Sequence, residues 1–409
     1  MKPDVDIMIA GGGLNGPTLA LALAGAGLSV AIADARPADA RTARNFDGRA
    51  YALALASQRL LRALDLWGGL APDSQPILQV KASQGQPGEG ALPFILHFDS
   101  AEIEEGPAGW MLEDRFLYQA LLSAMQNHAL IRHLPGVAVI GQDEGAAGVT
   151  ARLSDGRRIG ARLLIGADGR NSGVAARAGI ARQGWDYGQT ALVASVDHEL
   201  PHHGIAHQYF MPTGPLAILP LPGNRSNIVW SETDDNARAI EALDDARFLQ
   251  VLRPRFGDFL GDLSLAGARF SYPLSLSLAE SYVAARVALV GDAAHGVHPI
   301  AGQGLNLGLR DVAALAQVLV EAARRGEDIG SLSVLERYQR WRRFDATRLA
   351  LGMDLVNRLF SNDNSFLAGA RGLGMGVITA IPALRRGFMR QAAGLSVSPM
   401  PRLLAGQAL

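Results

Sequence analysis

An uncharged run from Ile7 to Ala33 constrains the fold of this chain more than any other feature. By length it could cross a bilayer, but its start is rich in glycine, and the residue before it is acidic where a secretory signal would be basic. Its period predicts a strand over Val5 to Ala10, a helix over Pro17 to Gly25 and a second strand over Ser29 to Ala33. The run therefore predicts a βαβ unit rather than a membrane span.

The turn between the first strand and the helix has the spacing of a dinucleotide-binding site. Gly11, Gly13 and Gly16 fill the pattern G-x-G-x-x-G, and Asp34 ends the second strand. The first glycine makes the tight turn, the second lets the backbone approach a pyrophosphate, and the third allows close packing of helix on strand. The helix N-terminus offers N–H groups to phosphate, and the acid can hold ribose hydroxyls. We predict dinucleotide binding, with a purely structural glycine turn as the alternative.

Two later segments also place an acid at the end of a buried strand. An apolar run over Leu163 to Ala167 leads into Asp168. A second apolar run begins with Val287 to Leu289 and leads into Asp292, followed by glycine-rich sequence and a helix predicted from about Leu305 to Ala323. Because α/β sheets bind ligands at the carboxyl ends of their strands, both acids are candidate ligand-binding residues.

Composition excludes several classes of protein. The 38 basic residues balance 39 acidic ones, so the chain has no global positive field, and we expect no nucleic-acid partner. Cysteine is absent from the sequence, which excludes disulfides, thiolate nucleophiles and iron–sulfur clusters. His295 and His298 stand close to Asp292, but a compact set of further ligands is missing, and we expect no metal site.

The glycine turn, the Asp168-Gly169 pair and the Gly291-Asp292 pair resemble, in order and spacing, the motifs of a known family. This family is the single-component FAD-dependent aromatic hydroxylases with the para-hydroxybenzoate hydroxylase fold. Residues 298–311, with the sequence HPIAGQGLNLGLRD, resemble the signature of its ubiquinone-biosynthesis branch. The likeness continues through DGRA at 47–50, GPLAILPL at 214–221 and NRLFSN at 357–362, and so extends over nearly the whole chain.

The resemblance, together with short β-like runs between Ala181 and Phe270, predicts an α/β fold with three parts. The first is a discontinuous, Rossmann-like FAD-binding domain formed by residues 1–75, 105–180 and 272–330. The second is an inserted substrate domain, a mixed or antiparallel β-sheet formed by residues 76–104 and 181–271. The third is a C-terminal helical region, basic and apolar, formed by residues 331–409.

Carried over residue by residue, the resemblance implies an FAD site assembled from distant segments. The glycine turn would hold the pyrophosphate, Asp34 the adenosine ribose, and Asp292 a ribityl hydroxyl. Arg49 and Arg115 would reach the phosphates and ribose, with ordinary surface charge as the alternative for each. The predicted cofactor-binding residues are Gly11, Gly13, Leu14, Asn15, Gly16, Asp34, Arg49, Arg115, Val137, Asp168, Asp292, Gly304, Leu305 and Asn306.

A loop facing the flavin would complete the site, without any residue assigned to proton transfer. Its predicted members are His298, Pro299, Gly302, Gln303 and Gly304. Glycines there allow the backbone to approach the flavin, and the following helix N-terminus favours the negative charge of reduced flavin. The resemblance implies that the inserted sheet forms a roof over the flavin. Three of its residues are candidates to contact the substrate, with packing in the sheet core as the alternative: Tyr209, Phe210 and Leu219.

The resemblance implies an FAD-dependent monooxygenase in which NAD(P)H reduces the flavin and O2 reacts at its C4a carbon. The branch signature implies that the oxygen passes to a polyprenylated phenol or quinol of ubiquinone biosynthesis. Two alternatives stay open. One is a flavoenzyme of the same fold that acts on another aromatic or isoprenoid substrate. The other is an FAD-binding structural subunit of a ubiquinone-biosynthesis complex.

The C-terminal region differs from the rest in charge. From Val334 to Leu409 there are eleven arginines and four acids, around an uncharged run from Gly372 to Leu384. That run is too short to span a bilayer, yet it could lie on an anionic one. We predict either peripheral membrane contact through this tail or a helical cap packed on the FAD domain or a partner. The expected location is the cytoplasm, peripherally on the inner membrane.

Overall fold

The computed structural model describes residues 3–37, 47–86, 88, 90–91, 96–103, 105–297, 302–360 and 381–409. The strands are β1 (Val5–Ala10), β2 (Val30–Asp34), β3 (Ala50–Ala54), β4 (Gln75–Ile77), β5 (Gln79–Gln86), β6 (Gly90–Ala91), β7 (Leu96–Asp99), β8 (Gly109–Glu113), β9 (Ile131–Pro135), β10 (Val139–Gly145), β11 (Gly148–Leu153), β12 (Arg158–Gly166), β13 (Arg182–His198), β14 (Ile205–Met211), β15 (Gly214–Leu221), β16 (Arg225–Thr233), β17 (Leu263–Leu265), β18 (Phe270–Ala279), β19 (Val283–Ala284), β20 (Val287–Leu289) and β21 (His295–Gly296). The helices are α1 (Asn15–Gly25), α2 (Leu55–Ala63), α3 (Trp67–Leu70), α4 (Asp114–Gln126), α5 (Gly173–Arg177), α6 (Asp234–Glu241), α7 (Asp245–Phe256), α8 (Gln303–Arg324), α9 (Leu332–Phe360) and α10 (Pro382–Ala392).

The predicted βαβ unit is present, with the helix beginning two residues before the predicted start. Strand β1 lies between β2 and β12 and runs parallel to both. From Ile7 to Ala10 its side chains are at most 4% exposed, because sheet and helices cover both faces. A parallel strand buried on both faces needs a continuous apolar run rather than an alternating one. This requirement explains why the segment has the composition, but not the structure, of a membrane span.

The two predicted strand-acid segments lie beside the glycine turn. Strand β12 pairs with β1, and β20 pairs in parallel with β12, so that Ala10, Gly166 and Leu289 stand in adjacent register. The residues that follow these three positions therefore meet at one edge of the sheet. Because parallel strands share the direction of their carboxyl ends, three separate motifs converge on this edge.

A second sheet of ten strands forms a roof, with the main order β21-β18-β13-β16-β15-β14-β5-β6. Its neighbours are antiparallel except β14 and β5. Along β13 and β16 the side chains alternate between two faces: Leu192 and Trp230 enter a hydrophobic core with α6 and α7. Their neighbours Val193 and Val229 point to the opposite face. Strands half-buried on each side in this way produce the alternating pattern seen in the sequence.

The C-terminal region packs on the rest of the protein at several points. Leu403 and Leu404 belong to the large core around the first sheet. The Arg385 guanidinium lies 2.7 Å from the Glu102 carboxylate, so α10 is attached to the body through that side. None of the described helices has the length and apolar character needed to cross a membrane. The predicted fold class is confirmed, and the predicted domain boundaries stay a prediction.

Candidate active site

A cavity of about 790 Å³ lies between the carboxyl edge of the first sheet and the roof. Its wall is formed by residues from distant parts of the chain, including the N-termini of α1 and α8. The described residues that line it are Gly13, Leu14, Asn15, Arg36, Arg49, Ala50, Tyr51, Ala52, Ala167, Gly169, Arg170, Val193, Ala217, Leu219, Asn227, Val229, Phe270, Ser271, Tyr272, Pro273, Asp292, Val297, Gly302, Gly304 and Leu305.

The three glycines of the turn have different local reasons to be glycine. A Cβ at Gly11 would lie 2.2 Å from the Ala167 carbonyl oxygen, and the φ of this residue is +114°. At Gly16 a Cβ would lie 2.0 Å from the Gly11 carbonyl oxygen. At Gly13 no described atom lies within 4 Å of the added carbon, and the residue lines the cavity. The protein itself therefore requires Gly11 and Gly16, whereas Gly13 leaves the cavity open to an incoming group.

The N-terminus of α1 faces this opening. Leu14 and Asn15 line the cavity, and among the described side chains none caps the helix. The first N–H groups of a helix have no partner within the helix and carry its partial positive charge. An anionic group in the cavity would supply the missing acceptors.

The end of β2 places three further groups near the turn. Asp34 is 8% exposed, and its carboxylate accepts a hydrogen bond of 3.0 Å from the Arg36 amide. Its carbonyl oxygen accepts a bond of 2.8 Å from the Val137 amide, which brings that buried residue beside the acid. Arg36 lines the cavity and was missed by the sequence reasoning. Its position two residues after the strand-ending acid is the signal that could have identified it.

The two predicted arginines differ in position. Arg49 lines the cavity, 2.5 Å from Asp47 and 3.6 Å from the buried Asp114. Burial alone would lower the pKa of Arg49, but these carboxylates outweigh it and raise the pKa, so the cation is held firmly. Arg115 instead donates from Nε to the Glu113 carboxylate at 2.5 Å and lies outside the described cavity wall.

The two predicted strand-end acids also differ. The Asp168 carboxylate accepts from the Ser172 hydroxyl at 2.5 Å and from the Val174 amide at 3.1 Å, which fixes the start of α5. It lies outside the described cavity wall, although the neighbouring Gly169 lines the cavity. Asp292 does line the cavity, and 45% of its side chain is exposed. Its Oδ2 lies 3.5 Å from the Arg170 Nε.

The loop before α8 presents a second helix N-terminus to the cavity. Gly302 precedes this helix with a left-handed φ of +61°, and no cap from a described side chain is present. Gly302, Gly304 and Leu305 line the cavity. The Gln303 amide group instead lies 3.5 Å from the Ala392 carbonyl oxygen of the C-terminal region. The predicted residues His298 and Pro299 lie outside the described residues.

The side of the cavity opposite the roof, which includes Gly13, Ala52 and Gly302, is its floor, and Asn306 connects segments of this floor. Its amide oxygen accepts from the Ala54 amide at 2.8 Å and from the Ser57 hydroxyl at 2.7 Å. Its amide nitrogen donates to the Ala52 and Gly302 carbonyl oxygens at 2.7 and 2.9 Å. All four hydrogen-bonding positions of the side chain are thus used within the protein. The side chain connects the α8 N-terminus to β3, a role that its place in a signature does not reveal.

The roof contributes an uncharged wall. Phe270, Val193, Val229 and Ala217 stand opposite one another in register across four strands, and all line the cavity. Leu219 also lines it, as predicted. Tyr209 and Phe210 do not occur among the described lining residues; the Tyr209 hydroxyl donates to the Gln86 carbonyl oxygen at 3.0 Å.

The residues present fit an FAD molecule. One cavity joins an open glycine turn and two helix N-termini, and Arg36 and Arg49 supply positive charge to its wall. Backbone N–H groups at helix N-termini and a close-approach glycine are the features that pyrophosphate binding requires. Within the described part of the chain no group of three or more His, Cys, Asp or Glu side chains could hold a metal ion.

Comparison with known proteins agrees with this fit. Residues 4–350 match the family described as "FAD binding domain", and this match spans most of the chain. The chain therefore belongs to the FAD-binding domain family, and its cofactor is FAD.

Relatives of known name cover nearly the full length. "Ubiquinone hydroxylase UbiL" of Rhodospirillum rubrum is 46% identical over 98% of this chain and 92% of its own length. "3-demethoxyubiquinol 3-hydroxylase" of Escherichia coli is 36% identical over 95% of this chain and 98% of its own. The predicted class, an FAD-dependent hydroxylase of the ubiquinone-biosynthesis type, is confirmed.

A solved structure shows the same fold at low identity. The p-nitrophenol 4-monooxygenase PnpA from Pseudomonas putida DLL-E4 aligns with a TM-score of 0.79 at 18% identity. The alignment covers 97% of this chain and all of that one.

Proposed function

We propose that this protein hydroxylates the ring of a polyprenylated phenol or quinol in ubiquinone biosynthesis, using FAD, NAD(P)H and O2. The observation that carries the proposal is a single cavity with a cationic, backbone-lined floor and an uncharged roof. The relatives named as ubiquinone hydroxylases support this choice of substrate. When bound, the flavin supplies the activation of O2. The protein binds and orients the substrate and excludes water from the site.

The floor holds the cofactor in this proposal. Backbone N–H groups at Gly13, Leu14 and Asn15 bind the pyrophosphate, and Arg49 adds a positive charge. Asp34 and Val137 lie on the adenosine side, and Asp292 accepts from a ribityl hydroxyl. Asn306 acts at one remove, because its side chain bonds to the Ala52 and Gly302 carbonyl oxygens of the cavity wall. Arg115 and Asp168 bond to Glu113 and to the start of α5, outside the described wall, and we assign them a supporting role.

The N-terminus of α8 serves the flavin ring. Gly304, where an added Cβ would meet no described atom within 4 Å, leaves room for close approach, and Gly302 and Leu305 lie beside it on the cavity wall. The helix dipole places partial positive charge at this end. Negative charge on the reduced cofactor is stabilised there without a charged side chain.

The roof selects the substrate. Of the described residues on the cavity wall, the cations are Arg36, Arg49 and Arg170, and Arg170 lies near the Asp292 carboxylate. The roof strands themselves present Val193, Ala217 and other uncharged groups. A soluble aromatic acid would find no cation on those strands, whose described lining residues are all uncharged, and its carboxylate would have to reach Arg49 or Arg170 instead. An apolar prenylated ring needs no cation.

The test is NAD(P)H oxidation by the flavin-loaded protein, with and without a prenylated phenol, under ¹⁸O2. We expect oxidation to accelerate with the phenol and the product to gain one ¹⁸O atom. Acceleration by soluble aromatic acids alone would favour a different substrate on the same fold. Bound flavin without acceleration by any phenol would favour the structural-subunit alternative.

We further propose peripheral contact of α10 with the cytoplasmic face of the inner membrane. Leu384 and Phe388 share one face of the helix and are 44% and 51% exposed, and Ile381, immediately before the helix, is 43% exposed. The exposed Arg386 supplies a charge suited to anionic lipid, whereas Met389 faces the protein. The same surface could instead contact another member of a ubiquinone-biosynthesis complex.

Flotation with vesicles containing anionic lipid tests the membrane contact. We expect the Leu384→Glu/Phe388→Glu variant to stop floating and to keep its FAD content. Leu332→Glu, which changes another exposed leucine, is the matched control and should float like the wild-type protein. Undiminished flotation of the double variant would contradict the membrane contact.

A further inference from the structure

A buried carboxylate behind the cavity joins three separate elements. Asp311 lies on α8 and is fully buried. Its Oδ2 accepts from the Gly291 amide at 3.0 Å and from the His295 Nε2 at 2.5 Å. Its Oδ1 accepts from the Arg342 Nε of α9 at 2.8 Å. One side chain thus binds both ends of the segment 291–295 and ties it to α9.

The same segment is also held in its middle. The Arg182 guanidinium donates to the Asp292 carbonyl oxygen at 3.1 Å and also to the Ala293 carbonyl oxygen. Gly291 has a left-handed φ of +60°, which reverses the chain after β20. These bonds engage backbone groups on both sides of Asp292 and leave its carboxylate directed into the cavity.

The carboxylate is charged although water is excluded. Burial alone would raise the pKa of Asp311, but the neighbouring His295 and Arg342 outweigh burial and lower the pKa. Arg342 is itself fully buried and depends on Asp311 and Asp345 for its partners. Replacement of Asp311 by asparagine would leave the buried Arg342 cation with one carboxylate partner fewer. It would also place an amide N–H group beside the N–H donors that now bond to the carboxylate.

We propose that Asp311 is a positioning residue for the cofactor, acting through the 291–295 loop on Asp292. The inference rests on the proposed contact between Asp292 and FAD. The carboxylate fixes the Gly291 amide and the His295 ring at once, so the loop keeps the conformation that presents Asp292. Loss of the carboxylate frees both loop ends while the phosphate cradle at Gly13 stays intact.

The experiment measures the FAD dissociation constant, the melting temperature of the apoprotein and the visible spectrum of bound flavin. We expect Asp311→Asn to raise the FAD Kd at least about tenfold and to alter the spectrum, as loss of one well-placed contact implies. His295→Leu keeps the Arg342 ion pair and serves as a milder variant if Asp311→Asn fails to fold. It should raise the Kd by a smaller factor.

Tyr338→Phe is the matched control, because it removes a buried hydrogen bond of 2.7 Å to the Leu289 carbonyl oxygen beside the same loop. It should lower the melting temperature and leave the FAD Kd and spectrum unchanged. An equal loss of FAD affinity in this control, or normal affinity in both loop variants, would overturn the positioning role. Asp292→Ala separates the two hypotheses, since unchanged FAD affinity there would defeat the proposed Asp292 contact itself.

Discussion

The floor and the roof of the cavity are built by different means. The floor presents backbone: an open glycine, two helix N-termini and peptide groups fixed by Asn306 and Asp311. The roof presents side chains, from every second residue along β15 and β16 and from four successive residues of β18. A backbone site demands particular residues at particular positions, whereas a side-chain wall demands only a suitable size and polarity.

This difference has a functional counterpart. A cofactor shared by a whole family needs an unvarying cradle, and peptide N–H groups provide one. A substrate wall made of Val193, Ala217 and Val229 can change residue by residue without disturbing the sheet. Substitutions in the floor should therefore abolish folding or FAD binding. Substitutions in the roof should change substrate specificity while FAD stays bound.

The largest effect should come from the floor. We expect Gly16→Ala to abolish folding or FAD uptake, because its Cβ would lie 2.0 Å from the Gly11 carbonyl oxygen. Gly13→Leu should fold with a melting temperature within about 2 °C of wild type, yet bind FAD about tenfold or more weakly. Thermal melts and FAD titration distinguish the two variants. Wild-type affinity in Gly13→Leu would refute close approach at that glycine.

A variant in the roof should instead lose its response to substrate and keep its FAD affinity. Ala217→Phe adds an aromatic ring to the wall, and we expect substrate-dependent NAD(P)H oxidation to fall about tenfold or more with the FAD Kd within about twofold of wild type. Ala217→Ser, which preserves the space, is the control and should retain most activity. Steady-state kinetics with a prenylated phenol check the result. Loss of FAD instead of substrate response would show that the two halves are not separable.

The two arginines sharpen the boundary of the floor. Arg49→Ala should weaken FAD binding about tenfold, since it removes a cation from the cavity wall. Arg115→Ala should change the Kd less than about threefold, because its Nε bonds to Glu113 outside that wall. Parallel titrations at low and moderate salt compare the variants. A larger effect of Arg115→Ala would restore the direct contact predicted from the sequence.

The smallest effect that we expect is a loss of folding stability at acidic pH. His207 on β14 stands beside Lys81 of β5, and burial together with that cation lowers the pKa of His207 from 6.5 to about 4. Because the folded-state pKa is the lower one, protonation favours the unfolded chain, and stability falls as pH drops from 6.5 towards 4. We expect a loss of less than about 1 kcal/mol between pH 6.5 and 5.5. Urea unfolding at both pH values should show it, and His207→Gln should remove it.

Much of the fold was predictable because local rules dominate its elements. The continuous apolar runs of β1, of β20 and of the second half of β12, and the alternation in β13–β16, each correspond to a burial pattern that a strand must satisfy. The contrast between Arg49 and Arg115 was not predictable. Both residues fit the same motif reasoning, and each bonds to an acid two positions before it. Only the fold shows that Arg49 lines the cavity whereas Arg115 lies outside its described wall.

Apart from the family, which the resemblance of its motifs indicates, the amino-acid sequence alone predicts the glycine turn, the βαβ unit and a dinucleotide cofactor. Those features depend on backbone conformation and short-range spacing, which residue types at fixed intervals encode directly. The bridging role of Asn306 and the hold of Asp311 on the loop of Asp292 become visible only in the folded protein. These roles depend on which distant donors surround a buried acceptor, and long-range packing, not local pattern, sets that arrangement.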